Sequence, residues 1–161
     1  MTNPNTNPLA FYAYLEQLAI KHKDLQHHEA EQHYFRGELQ DFYEGIRNRV
    51  NFPALISESF ELAYVQYDNG PWKNREFSFI IAQDYKERND YPSIDEAINI
   101  CEEIGEEIIK KIMHDFEDIS TELEYGTGIP IENQAEKYIG IRFTLTFKNC
   151  FNENIDPDKW M

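Results

Sequence analysis

Four of the five histidines, His22, His27, His28 and His33, fall in one short polar stretch, and His28-Glu29-Ala30-Glu31-Gln32-His33 comes near the HExxH pattern of zinc hydrolases. That pattern works because two histidines four residues apart share one face of a helix, with the glutamate between them as general base. Here the histidines are five apart, and at about 100° per residue they leave a common face. A weak surface site built on Glu29 and His33 is the most that spacing allows. Solvated loop histidines are the expected reading, with no metal ligand and no cofactor.

The other candidates for chemistry are weaker. Glu102, Glu103, Glu106 and Glu107 lie off the apolar stripe of a helix and are expected to be solvated, with no cleft to shift a pKa for acid or base work. Ser57 and Ser59 lack the GxSxG elbow of a serine nucleophile. Cys101 falls within the buried stripe, where a thiol behaves as a small hydrophobe, and Cys150 has only Lys148 nearby as a positive neighbour. Gly126-Thr127-Gly128 lacks the Gly-Lys-Ser/Thr continuation of a phosphate cradle and reads as a turn. No catalytic residue is assigned, and the chain is expected not to be an enzyme.

The elements that would position these residues follow from apolar spacing. Leu9, Phe11, Tyr12, Leu15, Leu18 and Ala19 predict an amphipathic helix over 8–23, opened by Pro8. Residues 21–36 read as a long polar loop. Leu39, Phe42, Tyr43, Ile46 and Val50 predict a second helix over 37–49, closed by Asn51-Phe52-Pro53. Period two then takes over, predicting a strand over 57–67 and, after Asp68-Asn69-Gly70-Pro71, an antiparallel hairpin over 57–83 whose tip, 69–75, presents an exposed Trp72. Ser93 and Glu96 form a capping box with Pro92 just outside, and Ile94, Ala97, Cys101, Ile104, Ile108, Ile112 and Phe116 carry a long helix onward. Residues 124–134 read as a loop. Ile139, Ile141, Phe143, Leu145 and Phe147 then alternate with wetter neighbours in the strongest strand signal, before a polar tail over 149–161 that holds Trp160.

These elements predict one α+β domain over 1–161, with residues 1–8 flexible: a small antiparallel sheet, made of the hairpin and the C-terminal strand, packed against a long helix with the N-terminal helices alongside. The composition agrees with a folded chain, at 41% hydrophobic and 14% aromatic over 161 residues. A net charge of −15, from 15 basic and 30 acidic residues, argues against binding a phosphate backbone by broad attraction and favours basic partners. Eleven of the acids lie between Ser93 and Glu124, against Lys110 and Lys111. No apolar run is long enough for a membrane span, and the Asn-Thr-Pro start does not resemble a secretory leader, so synthesis in the cytoplasm is expected.

Asn51-Phe52-Pro53-Ala54-Leu55 and Tyr138-Ile139-Gly140-Ile141-Arg142-Phe143-Thr144, in this element order, resemble small tail proteins of bacteriophages. The ending Gly140-Ile141-Arg142-Phe143 … Asp156-Pro157-Asp158-Lys159-Trp160 is similar to proteins encoded among phage or phage-like tail genes. The resemblance spans residues 9–160 and points to the tail terminator and tail completion (neck) proteins. It implies a structural subunit of a phage or phage-like contractile injection particle, made in the bacterial cytoplasm and built into the particle. Such a subunit works as a ring of copies, commonly six, on tail tube, sheath or neck and connector proteins, without sequence-specific nucleic-acid contact or membrane. The expected partner contacts are Trp72 and Arg75 at the hairpin tip and Trp160 in the tail. An alternative from a different class is an acidic inhibitor, immunity-type protein or DNA mimic that docks its glutamate-rich helix on a basic partner.

Overall fold

The computed structural model describes residues 4, 6–38, 51–117, 122–126, 128–135, 137–151, 154 and 156–159. Helix α1, Pro8–Lys21, starts where Pro8 predicts, with the Asn7 side chain accepting the Ala10 N–H. It buries Phe11, Tyr12, Leu15, Leu18 and Ala19. Helix α2, Tyr91–Asp115, buries the predicted stripe of Ala97, Cys101, Ile104, Ile108 and Ile112. Its cap is Asp90, not Ser93: the Asp90 carboxylate accepts from the Ser93 N–H, Pro92 sits inside the first turn, and Ser93 Oγ instead accepts the Lys86 N–H at 3.0 Å. Proline tolerates that first turn because it has no N–H to satisfy there.

The sheet is larger than predicted and is mixed rather than antiparallel. Seven strands run β1 (Tyr34–Arg36), β2 (Ala54–Ser57), β3 (Glu61–Tyr67), β4 (Gly70–Asp84), β5 (Glu122–Tyr125), β6 (Ile129–Asn133) and β7 (Tyr138–Cys150) in chain order. Their spatial order is β1-β2-β4-β7-β5, with β3 also on β4 and β6 also on β7. β4 and β7 pair antiparallel from Trp72 opposite Cys150 to Asp84 opposite Tyr138. β2 and β3 occupy successive stretches of the free side of β4, so the single predicted strand over 57–67 is broken at residues 58–60. β5 and β6 do the same on β7, which turns most of the predicted loop over 124–134 into paired strand. β1 runs parallel to β2, and this is what makes the sheet mixed.

Further expectations change or fall outside the described residues. From Gly70 onward the predicted hairpin tip over 69–75 is strand: Tyr67 pairs with Gly70 across a turn of Asp68 and Asn69, and Gly70 takes φ +117°, a conformation that favours glycine. The predicted loop over 21–36 ends in β1 and buries Leu25 on the way. Of the predicted helix over 37–49, residues 39–49 lie outside the described residues, while Gly37 is not helical and donates its N–H to Ser57 O. In the tail, β7 reaches Cys150 and Pro157–Lys159 forms a short 3-10 helix.

One face of the sheet carries α1 and α2. There Phe77, Phe79 and Ile81 of β4 and Ile141, Phe143, Leu145 and Phe147 of β7 meet α1 and α2 in the main core. Phe11 anchors that core, with its ring 4.4 Å from Phe77 and 5.2 Å from Phe147. The opposite face is dry only at one end, where Ala54, Ile56, Ile80, Ala82 and Tyr138 pack with Phe35, Phe52 and Ile131.

Gly105 of α2 faces the ring of Phe143, and a Cβ there would collide with that ring. The ring cannot easily yield, because it stacks on Phe79 at 5.2 Å. In Gly105→Ala, overpacking of about 1–3 kcal/mol outweighs the gain of roughly 1 kcal/mol in helix propensity. The urea midpoint is therefore expected to fall, by up to about 2 kcal/mol in unfolding free energy; a higher midpoint would contradict the packing described.

Candidate functional site

The helix-covered face of β4 reads Lys73, Arg75, Phe77, Phe79, Ile81, since alternate residues of a strand share a face. Arg75 thus continues a row of core side chains, and it is 5% exposed. The sequence places Arg75 on an exposed tip; the structure corrects this, because β3 and β7 pair with β4 on both sides of it. Arg75 Nη1 donates to Pro4 O at 2.6 Å, its guanidinium lies 4.6 Å from the centre of the Phe60 ring, and its buried Nε has no hydrogen-bond partner.

A second arginine stands in the same arrangement. Arg36, exposed at the end of β1, lies 3.9 Å over the Tyr12 ring of α1. Tyr12 and Phe60 both lean on Phe77, with ring centres 5.7 and 5.8 Å from it. One core phenylalanine therefore supports two rings, each of which carries a guanidinium. β1 is held in place by Tyr34, whose hydroxyl donates to the Tyr12 carbonyl at 3.2 Å and lies 2.9 Å from Ser57 Oγ.

The electrostatics of this cradle are unusual for so acidic a chain. Among the described residues Arg142 is the arginine that reaches a carboxylate, Glu58, while neither Arg36 nor Arg75 does. Burial pushes Arg75 below the ordinary arginine value, with Tyr64 and Tyr12 acting the other way. Lys73, two residues along the same row, is lowered by burial and then by the Arg75 charge. Burial raises the Tyr12 hydroxyl, and Arg36 opposes that. A guanidinium held face-on to a ring keeps its in-plane N–H edges for a planar anion, which suits two-point binding of a carboxylate or phosphate.

Among the described residues β3 is an edge strand. It pairs with β4 on one side, and its seven residues are exposed except for the half-buried Val65. Leu62, Tyr64 and Tyr67 are open to solvent, and β3 carries neither proline nor lysine to blunt the edge.

The remaining predicted residues fall elsewhere. Trp72 is half-buried, with its indole N–H bonded to Asn69 Oδ1 at 3.0 Å and its ring 6.2 Å from Tyr67, so it clamps its own turn and is not an exposed tip. Trp160 lies outside the described residues. The four histidines do not converge. His22 Nε2 is 3.0 Å from Glu107, and His28 is 3.6 Å from Glu31. His33 Nδ1 donates to Pro53 O at 2.7 Å, while His27 Nδ1 accepts the N–H groups of His33 and Tyr34. No group of three or more His, Cys, Asp or Glu among the described residues is placed to hold a metal ion. Cys101 is buried, with its thiol pushed up to about 12, and Cys150 is exposed. Glu102, Glu103, Glu106 and Glu107 are all exposed on α2.

Sequence reasoning missed Arg36 entirely. Its signal was the Tyr34-Phe35-Arg36 triplet, a β-favouring run inside an otherwise polar stretch. No model of a known protein family matches the chain, and no curated protein matches it.

Two outcomes follow. Arg75→Met keeps the length of the side chain and removes a buried charge that no carboxylate among the described residues compensates. Unfolding in urea should show the variant more stable by about 1 kcal/mol or more, and a comparable loss would mean that Pro4 and Phe60 outweigh the desolvation. His27 is held below its ordinary 6.5, chiefly by burial and also by His33 and His28. The unfolded chain therefore protonates first as pH falls, so the stability carried by the neutral ring is complete above about 6.5 and is lost below it. His27→Asn keeps an acceptor without the titration. It should show a shallower loss of unfolding free energy between roughly pH 6.5 and 5; equal slopes would assign the pH dependence to other groups.

Proposed function

We propose that the chain is a non-enzymatic structural subunit that caps or completes the tail tube or sheath of a phage or phage-like contractile injection particle. It acts as a ring of copies, with six the expected number, made in the bacterial cytoplasm and incorporated in the particle. Its partners are further copies of itself together with tube, sheath, neck or connector proteins.

The observation that carries this reading is the open edge of β3. A seven-residue strand with exposed Leu62, Tyr64 and Tyr67 is a liability in an isolated monomer, because its free N–H and C=O groups template pairing with another chain. In an assembly subunit the same edge is a joint. Ring closure also needs faces that differ between the two sides of a subunit, since only a heterologous contact propagates around an axis. The cradle beside β3 and the acidic surface of α2 provide two such faces. The residues that resemble tail proteins support the reading too: 54–55 belong to β2 and 138–144 to β7, both of which pair directly with β4. No helix among the described residues is long and apolar enough to cross a membrane.

The acidic-inhibitor reading has one observation of its own, the exposed carboxylates of α2. Electron microscopy of particles from cells lacking this gene separates the two. Overlong, ragged or unjoined tails are the expected result. Normal particles in normal numbers would overturn the tail reading and favour a basic partner, bound more weakly as salt rises.

A further inference from the structure

We propose that two open edges of the sheet meet between copies of this chain: β3 of one copy pairs antiparallel with β5 of the next, so that the sheet runs on from subunit to subunit. This rests on the ring-subunit reading and names the strand that the open edge of β3 takes.

The two edges stand level across the sheet. Leu62 lies opposite Arg75, Arg75 opposite Phe147, and Phe147 opposite Leu123. The row on one side reads Ala63, Asn74, Lys148 and Glu122, and the row on the other Glu61, Glu76, Thr146 and Glu124. β3, β4, β7 and β5 thus form a four-stranded ribbon whose two outer strands, among the described residues, each pair on one side only. Every step across the ribbon is antiparallel, so β3 and β5 run in opposite directions. A second copy set beside the first in the same orientation brings its β5 against β3 as one more antiparallel pair. Its own β3 is left free for a third copy. Because the two edges differ, the contact repeats from copy to copy, as a ring requires.

The side chains select the register. Alternate residues of a strand share a face, so Leu62 and Tyr64 belong to the helix-covered side with Leu123 and Tyr125, and Ala63 and Val65 to the other side with Glu122 and Glu124. A level pairing, with Leu62 opposite Leu123, sets Glu61 directly against Glu124, and like charges so placed repel. A shift of two residues toward the end of β3 keeps the faces matched. Tyr64 then meets Leu123, Leu62 meets Tyr125, and Glu122 and Glu124 meet the uncharged Val65 and Ala63. This pairing covers Leu62, Tyr64 and Tyr125, all exposed in the single chain. A shift of two the other way sets Glu61 against Glu122, and a larger shift leaves Leu62 beyond the end of β5. A stagger of about 7 Å per copy is also what a sheet needs if it is to close on itself. An unrelated strand would cover β3 and leave β5 open, whereas a second copy uses both edges.

Disulfide trapping in the full chain tests this, with Cys150→Ser removing the exposed native thiol. Ala63→Cys and Glu124→Cys, both at exposed positions, place one thiol on each edge. Within one copy they stand three strand spacings apart, about 14 Å or more, beyond the roughly 7 Å between Cα atoms that a disulfide spans, so a bridge reports a neighbouring copy. Oxidation of the double variant should give a ladder of covalent multimers on a denaturing gel without reductant, while each single variant stays monomeric. Tyr64→Lys, which blunts the edge, should weaken association in sedimentation velocity about tenfold or more; far-UV circular dichroism confirms that each variant is folded. Association without the ladder would overturn the inference and leave the ring reading standing. A covalent dimer from Ala63→Cys alone would also overturn it, since that result sets β3 against β3. A chain that stays monomeric at every concentration would overturn it too, and the tail lengths in cells lacking the gene would then judge the ring reading separately.

Discussion

The antiparallel ladder between β4 and β7 is the constraint on which the rest of the molecule depends. It runs without interruption from Trp72 and Cys150 to Asp84 and Tyr138, and every other strand except β1 is hydrogen-bonded to one of these two. Because side chains alternate along each strand, the ladder presents two continuous surfaces. Both helices settle on the surface made by Phe77, Phe79, Ile81, Ile141, Phe143, Leu145 and Phe147. The helices cover that surface only in part. Where β4 runs on past Phe77 toward the β3 hairpin, cover gives out and Leu62, Tyr64 and Phe151 meet solvent. The open edge and the arginine cradle both occur at this border.

The border also explains how a buried arginine is tolerated. Arg75 sits in the core-facing row, one step beyond the last residue packed under α1, where aromatic rings are close but helix cover is ending. Phe60 provides a polarisable face and Pro4 a carbonyl, so the guanidinium is held without a carboxylate among the described residues. Arg142 shows the alternative on the opposite face, where Glu58, itself buried, pairs with it. The arginines differ in what the fold leaves available: Arg142 is paired with Glu58, while Arg36 and Arg75 reach no carboxylate among the described residues.

The polar stretch over residues 22–33 is fastened rather than free. His22 ties it to α2, His33 to the turn before β2, and His27 accepts two backbone N–H groups at the entry to β1. Histidines that looked like ligands act as hydrogen-bonding struts for β1. Since β1 carries Arg36, the stretch helps to position that arginine through these histidine side chains.

How much of this was legible follows from which forces are local. α1 and α2 were readable because an amphipathic helix writes its burial into a period of 3.6, and β7 because alternation of Ile139, Ile141, Phe143, Leu145 and Phe147 states which face is dry. The hairpin was readable from Asp68-Asn69-Gly70-Pro71, since Gly70 takes the conformation glycine favours. The absence of an HExxH spacing was likewise a fact of sequence. What the sequence by itself determined, then, is the α+β class, two of the helices and the central strands. Tertiary structure alone decided the rest. The stretch holding β5 and β6 reads as loop because Gly126 and Gly128 between them and Pro130 in β6 break any period, and both become strands by pairing with β7. Asp90 displaced Ser93 as the helix cap because the Lys86 N–H claimed the serine hydroxyl. The cradle needed Tyr12, Arg36, Phe60 and Arg75, from four separate parts of the chain, to meet around Phe77. No local pattern records such a meeting, because it is set by strand register and by where helix cover ends.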